Sequence, residues 1–189
     1  MKKIYIFIIL LIFICNSLFA QNTMRSDTLR KLPFWSISML GGLVLPFGDF
    51  SNNYNTSIDA GMDISYHPIR HWAFFFNSHY TFLLAKDVNY TGNAGYLEIG
   101  VGARVYLGKA HEIFFVEAGV GDYIYQYTSP ISNTPATTKG NIGVKAGIGG
   151  NLPVSDKILL LIKTDMHLVF TPGSKTYYTG LYGGVRFIL

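Results

Sequence analysis

Hydrophobic and polar residues alternate along the chain from residue 34 to the C-terminus. In residues 57–66, apolar side chains occupy the even positions from Ile58 to Tyr66, whereas serine, aspartate and glycine occupy the odd positions. Because successive side chains of a strand point to opposite faces, a period of two predicts strands with one apolar and one polar face. Eight segments show this period: residues 34–45, 57–66, 71–82, 96–107, 112–127, 141–149, 157–169 and 176–189.

Long and short connections alternate between these predicted strands. The short ones have four to seven residues, and the last connection, 170–175, is shorter than the others on its side. An even number of strands joined in this way is typical of an eight-stranded antiparallel up-and-down transmembrane β-barrel. The sequence therefore predicts an all-β barrel over residues 34–189, with both of its ends in the periplasm. The long connections are rich in Asn, Ser, Thr, Gly and Pro and comprise the predicted surface loops 46–56, 83–95 and 128–140.

The apolar face of these strands could point outward to lipid or inward to a ligand. A soluble barrel of the lipocalin type would expose the other face, which has many glycines and few charges, to water. Only 14% of the residues are charged and 20 are glycine, and a soluble surface normally carries more charge. The membrane interpretation is therefore favoured. Aromatic residues also gather near strand ends, as is expected at both membrane interfaces. This predicted girdle comprises Trp35, Tyr66, Trp72, Tyr80, Phe170, Tyr177 and Phe187.

The N-terminal residues have the layout of a secretory signal peptide. Lys2 and Lys3 precede an apolar stretch, and the small residue Ala20 precedes the expected cleavage site. Residues 1–20 are therefore the predicted signal peptide, and the polar residues 21–33 are a predicted periplasmic lead. The only cysteine, Cys15, falls inside the signal peptide, which excludes a disulfide scaffold.

Cleavage at this position leaves a nearly neutral chain. It removes two lysines and no acid, so 13 basic and 11 acidic residues remain and the net charge is +2. Such a chain has no large basic field, and nucleic acid is not an expected partner. The expected location is the outer membrane of a Gram-negative bacterium, where outer-membrane lipid is the first partner.

Two short stretches resemble known outer-membrane barrels. The final residues, Gly183 to Leu189, resemble the C-terminal signal of these barrels, although an aromatic residue is usual at the last position. The resemblance implies recognition by the barrel-assembly machinery. The phrase Tyr96-Leu97-Glu98-Ile99 is similar to a strand phrase of the small "outer membrane protein beta-barrel domain" family, whose members often continue with proline and leucines, unlike this chain.

The predicted inward face carries charged residues of both signs. An eight-stranded barrel has room only for side chains inside, and buried charges must be paired or hydrated. We therefore expect an ion-pair network that closes the lumen and disfavours a wide pore, while a narrow or gated channel stays possible. Expected neighbours are Asp59 with His79, Glu117 with Arg104, and Lys145 with Lys163, where Asp165 compensates. The predicted network comprises Asp59, Asp63, His79, Glu98, Arg104, Glu117, Lys145, Lys163, Asp165, His167 and Arg186.

One stretch invites an enzymatic interpretation. Outer-membrane lipid A deacylases pair a histidine with a serine two residues later and add an acid. His79-Tyr80-Thr81 has this spacing with Asp59 as a conceivable acid, but threonine replaces the serine. The histidines have no metal-ligand spacing, so neither a metal nor another cofactor is expected.

The resulting prediction is a monomeric outer-membrane barrel without catalytic activity. Its expected role is structural or interactive, with the three long loops as the contact region. The alternatives are a lipid-modifying hydrolase that uses His79 and a small gated channel.

Overall fold

The structure is a computed structural model that describes most of the predicted barrel. The predicted signal peptide, residues 1–20, and residues 21–31 of the predicted lead lie outside the described residues. Within the described part of the chain, no helix is long and apolar enough to cross a membrane. Described are residues 32–87, 94–107, 113–128, 135–171 and 173–189, without the side chains of residues 127, 128, 135–139 and 174.

Eight antiparallel strands form a closed barrel in which each strand pairs with its neighbours in the chain. The barrel closes where β8 pairs with β1, so the predicted fold class is confirmed. One short helix, α1 (Phe50–Asn53), lies between β1 and β2. The strands are β1 (Phe34–Phe47), β2 (Ser57–Ile69), β3 (Trp72–Leu83), β4 (Ala94–Leu107), β5 (Phe114–Thr128), β6 (Pro135–Pro153), β7 (Ile158–Thr171) and β8 (Ser174–Ile188).

Strand β6 is longer than its sequence pattern predicts. The alternation indicates a strand over 141–149, but the strand begins at Pro135 and pairs with β5 up to Thr128. The described residues of the predicted third long loop, 128 and 135–140, are therefore strand, and this part of the prediction is wrong; residues 129–134 lie outside the described residues. Alternation requires two unlike environments, whereas backbone pairing continues where polar residues occupy both faces.

The two faces of the wall have opposite chemistry. Outward residues such as Met39 and Ile142 are apolar and more than 60% exposed, whereas the inward Asp63 and Arg104 are 0% exposed. This is the reverse of a soluble barrel with an apolar ligand cavity, so the lipocalin alternative is wrong. The described wall also has a charged exception, because Asp122 of β5 points outward between Val120 and Ile124.

The predicted girdle residues all point outward. Trp35, Tyr66, Trp72 and Phe187 lie at the end of the barrel where β1 begins and β8 ends, which we call the terminal end. The rings of Trp35 and Tyr66 are in contact, with centroids 4.8 Å apart. Tyr80, Phe170 and Tyr177 lie toward the opposite end, which we call the loop end because α1 lies there. Aromatic side chains therefore flank the apolar wall on both sides.

Two inward glycines show how the narrow lumen accommodates aromatic rings. A Cβ atom on Gly102 would collide with the Phe75 ring, and one on Gly149 would collide with the Phe115 ring. The wall at these positions is thin because glycine has no side chain, and the facing ring occupies the space. These glycines have a packing role.

Candidate functional site

The interior of the barrel contains all eleven residues of the predicted network. They come from every strand except β1, and each is at most 5% exposed. Their placement follows from strand parity, because each lies at an inward position of its strand. We call these eleven residues the lumenal network.

Arg104 and Lys163 hold the centre of the lumenal network by bridging carboxylates from different strands. Arg104 donates from Nε to Glu117 at 2.7 Å and from Nη2 to Asp63 at 3.1 Å. Lys163 Nζ lies 3.0 Å from Glu117, 3.5 Å from Asp63 and 2.9 Å from Asp165. These contacts join β2, β4, β5 and β7 across the lumen. The attraction is strong in this buried setting, and it opposes the large cost of desolvating each ion.

A second group of polar contacts surrounds Glu98. Lys145 Nζ donates to Glu98 at 2.8 Å, and the amide of Asn77 donates to the same oxygen at 2.7 Å. His167 Nδ1 lies 3.5 Å from the other carboxylate oxygen and 3.0 Å from the Tyr123 hydroxyl. Glu98 thus has partners from three other strands, which fix the orientation of its carboxylate.

The expected neighbours are only partly brought together. Asp59 lies 2.8 Å from His79 Nδ1, and Glu117 contacts Arg104 as described above. The expected facing pair Lys145 and Lys163 is wrong, because β6 and β7 pair four residues out of that register. Lys145 faces His167, and Lys163 faces Gly149. This register separates the two ammonium groups and lets each contact a carboxylate.

The geometry around His79 does not form a catalytic triad. The Thr81 hydroxyl donates to Asp59 at 2.6 Å, so it contacts the acid and not the histidine. The other ring nitrogen of His79 lies 3.2 Å from Asp63. A triad needs the base to contact the nucleophile, and both nitrogens of His79 face carboxylates instead. All four side chains are at most 4% exposed, so this group is buried in the lumen.

Two apolar clusters lie among the charged residues of the lumenal network. Tyr182 faces Lys163 and Tyr123 faces Glu98 on the neighbouring strands. Sequence analysis missed several of their inward aromatic residues, for example Phe115, although their strand parity already placed them inside. The cluster toward the loop end comprises Val44, Tyr54, Leu83, Tyr96, Tyr123, Val169 and Tyr178, and the other comprises Leu40, Ala73, Tyr106, Phe115, Leu161 and Tyr182.

The first long loop covers the loop end of the barrel. Its backbone bonds to the segment after β3, with Asn55 N donating to Leu84 O at 2.7 Å and Lys86 N to Asn53 O at 2.9 Å. Phe50 packs beside Tyr54 with ring centroids 5.0 Å apart, and it also contacts the rings of two lumenal tyrosines. Burial raises the pKa of the Tyr54 phenol, which therefore stays protonated at neutral pH. The loop thus forms a fixed cover over the lumen.

No group of three or more potential metal ligands occurs among the described residues. The arrangement found in the lumen is instead a set of charges, most of them paired, that lie among buried apolar side chains. As a result, the interior of the barrel is filled by side chains of the barrel itself.

No family model matches the chain, and no curated protein matches it by sequence. Among solved structures, Neisserial surface protein A is similar, with a TM-score of 0.64 and 13% identity over 82% of this chain and 96% of that chain. The N-terminal β-barrel domain of Pseudomonas aeruginosa OprF and the Yersinia pestis protein Ail each give a TM-score of 0.49 at 13% identity, over 82% of this chain and 97% of theirs. The similarity to Neisserial surface protein A supports the fold.

Proposed function

We propose that the protein is a closed, non-conducting β-barrel of the Gram-negative outer membrane that acts through structural or surface contacts. The observation that carries this proposal is the filled lumen. It contains charged residues that are at most 5% exposed, and two clusters of buried apolar and aromatic side chains lie among them. A barrel of eight strands has no spare interior once side chains fill it. The outer wall and the loop end are then the surfaces that contact other molecules.

The membrane location is supported by the outer wall. Its described apolar side chains include Trp35, Met39 and Phe74, each more than 50% exposed. Exposing such side chains to water over a whole barrel is unfavourable, whereas lipid accommodates them. The predicted signal peptide, cleaved near Ala20, would direct the chain to the envelope. The similar fold of Neisserial surface protein A belongs to a protein whose name places it at a surface.

The contact region that we propose is the loop end. Loop 46–56, which contains α1, is held there by backbone hydrogen bonds to Leu84 and Lys86, and the β5–β6 hairpin extends the wall beyond Ile124 and Gly140. Rigid strands that present loops are a common way to build a binding surface. We further propose a monomer that is inserted by the barrel-assembly machinery through β8. Membership of the outer membrane protein beta-barrel domain family, expected from residues 96–99, stays a prediction.

Orientation in the membrane gives a direct test of the contact region. We expect cysteine in Asn52→Cys to react with a membrane-impermeant maleimide on intact cells, because α1 lies at the exposed loop end. Ser155→Cys, which is exposed in the turn between β6 and β7, should react only after the outer membrane is permeabilised. The mature chain is predicted to lack cysteine, so each label reports one site. Labelling of Ser155→Cys alone on intact cells would reverse the orientation and contradict the proposal.

Conductance separates the closed barrel from the gated channel. We expect the purified protein in planar lipid bilayers to give no steady conductance steps, because the lumenal network and the cover by loop 46–56 leave no path. An open sixteen-stranded porin, measured in the same bilayers, is the positive control. Steady steps that change in Lys145→Gln or Arg104→Gln would contradict the closed lumen and favour the channel.

A further inference from the structure

Arg186 differs from the other three cations of the lumenal network. Arg104, Lys145 and Lys163 each have a carboxylate oxygen within 4.0 Å, but Arg186 has none among the described residues. Its guanidinium donates from Nε to the Ser38 hydroxyl at 3.0 Å and from Nη1 to the Tyr106 hydroxyl at 2.9 Å. The side chain is only 1% exposed. A buried cation held by neutral hydroxyls keeps much of its desolvation cost.

One donor group of Arg186 and two donor groups of other residues lack an acceptor in the described part of the chain. They are Nη2 of Arg186, Nη1 of Arg104 and the hydroxyl of Ser65, in residues at most 1% exposed. Buried donors of this kind normally have partners. Each of the two guanidinium groups donates from its other two nitrogens and has one nitrogen without an acceptor in that part of the chain. Two such nitrogens in one lumen therefore call for an acceptor that the described residues themselves do not supply.

Strand register and ring contacts place these donors in the same layer of the lumen. Ser38 faces Arg186 on β8 and Asp63 on β2, and Ser65 is the next inward residue of β2 after Asp63. The Arg104 and Arg186 guanidinium carbons lie 4.5 Å and 5.9 Å from the centroid of one ring, that of Phe115. The two guanidinium groups thus lie beside the same ring, and Ser65 lies one inward position from Asp63 on the strand that pairs with β1.

The nearest carboxylates contact other cations. Asp63 and Glu117 accept from Arg104 and Lys163, and neither has a contact within 4.0 Å of Arg186 among the described residues. Below the layer, the Phe34 and His67 rings stack with centroids 4.2 Å apart and His67 Nε2 contacts the Ser36 hydroxyl at 3.1 Å. A water molecule could accept from these donors, but it carries no charge. A small anion accepts from them as well and brings the negative charge that Arg186 lacks within 4.0 Å among the described residues.

We propose that the lumen binds one small monovalent inorganic anion, of which chloride is the reference, between Arg186, Arg104 and Ser65. The anion accepts hydrogen bonds from both guanidinium groups and lies beside Arg186, which has no carboxylate contact within 4.0 Å among the described residues. Because the unfolded chain lacks this arrangement, the anion binds only the folded barrel and stabilises it by mass action. The anion has a structural role in this site, independent of any surface contact.

The first test is the reversible urea unfolding of the full barrel in neutral detergent micelles at constant ionic strength. Sodium chloride is replaced stepwise by sodium gluconate, whose anion is too large for the layer. We expect the folding equilibrium constant to rise about tenfold for each tenfold rise in chloride above its Kd. Arg186→Gln should lose this dependence, whereas Arg70→Gln, at an exposed turn position, should keep it. Equal stability of the wild type in both salts would overturn the proposal.

A second measurement keeps the proposal decisive if Arg186→Gln does not fold. Crystals of the wild-type barrel grown in bromide should show an anomalous scattering peak beside Nη2 of Arg186. Clear density for the lumenal side chains without an anomalous peak, or density of a water molecule at that point, would overturn the anion site. Neither result bears on whether the loop end makes surface contacts, so the two proposals fail separately.

Discussion

Replacement of Arg104 by methionine is expected to lower the free energy of unfolding by about 3–5 kcal/mol. Arg104 is 0% exposed and contacts both Glu117 and Asp63. Without it, two buried carboxylates share Lys163 as the remaining common cation, at 3.0 Å and 3.5 Å. The loss should appear in urea unfolding followed by the fluorescence of Trp35 and Trp72. Arg70→Met, at an exposed turn position, is the control and should change stability by less than about 0.5 kcal/mol.

The double variant distinguishes a lost ion pair from lost packing. Glu117→Leu alone should also be destabilising, because Arg104 then keeps only Asp63 as a carboxylate partner. In Arg104→Met/Glu117→Leu both charges are removed and apolar groups occupy their volume, so the cost should be smaller than that of either single variant. If the two single effects simply add, the pair is not coupled and the proposed energetic role of the lumenal network is wrong.

Replacement of Val101 by arginine is expected to cost about 2–4 kcal/mol, because a charge near the centre of a lipid-facing wall must be removed from water. Val101 is 54% exposed and lies in the middle of β4, where its neighbours on the adjacent strands are Phe76 and Val120. The measurement is urea unfolding of the barrel in lipid vesicles. A water-soluble barrel would tolerate this substitution, since it would only add charge to an exposed surface.

The matched control uses another exposed valine. Val154 is 61% exposed in the turn between β6 and β7, where we expect the wall to end and water to begin. Val154→Arg should therefore change stability by less than about 0.5 kcal/mol. Equal effects of the two arginines would mean that both valines face the same medium, contrary to the proposed position of the wall in lipid.

The sequence alone predicts which residues of a strand share a face. It therefore also predicts which side chains point into the lumen and which lie on the outer wall. The period of two depends only on local backbone geometry, which is why Asp63, Arg104 and Lys163 could be assigned to the interior. Partners on two strands joined by one turn could also be predicted, as the pair of Asp59 and His79 shows. Such pairs need only one register, and a short turn limits the choices.

Contacts across the lumen could not be predicted from the sequence. Lys145 of β6 meets Glu98 of β4, and Lys163 of β7 meets Asp63 of β2. These partners depend on several consecutive registers and on the curvature of the closed wall, so one error moves every later partner. The expected pair of Lys145 and Lys163 failed on a single register, because the adjacent strands β6 and β7 pair four residues away from the expected alignment.

Strand ends were the least predictable part of the fold. Beyond the apolar wall both faces of a strand meet water, and polar residues then occur on both. The first residues of β6, from Pro135 to Gly140, have no alternation and were assigned to a loop. Hydrogen bonding to β5 makes them strand, and this pairing is invisible in the side-chain pattern of either segment alone.

The central claim is a closed barrel embedded in the outer membrane, and heat-modifiable gel mobility of the protein from isolated outer membranes tests it most directly. Closed membrane barrels that resist detergent migrate as compact species until boiling unfolds them. We predict recovery in the outer-membrane fraction and a clear difference in mobility between unboiled and boiled samples. Recovery as a soluble envelope protein, with the same mobility before and after boiling, would contradict the account.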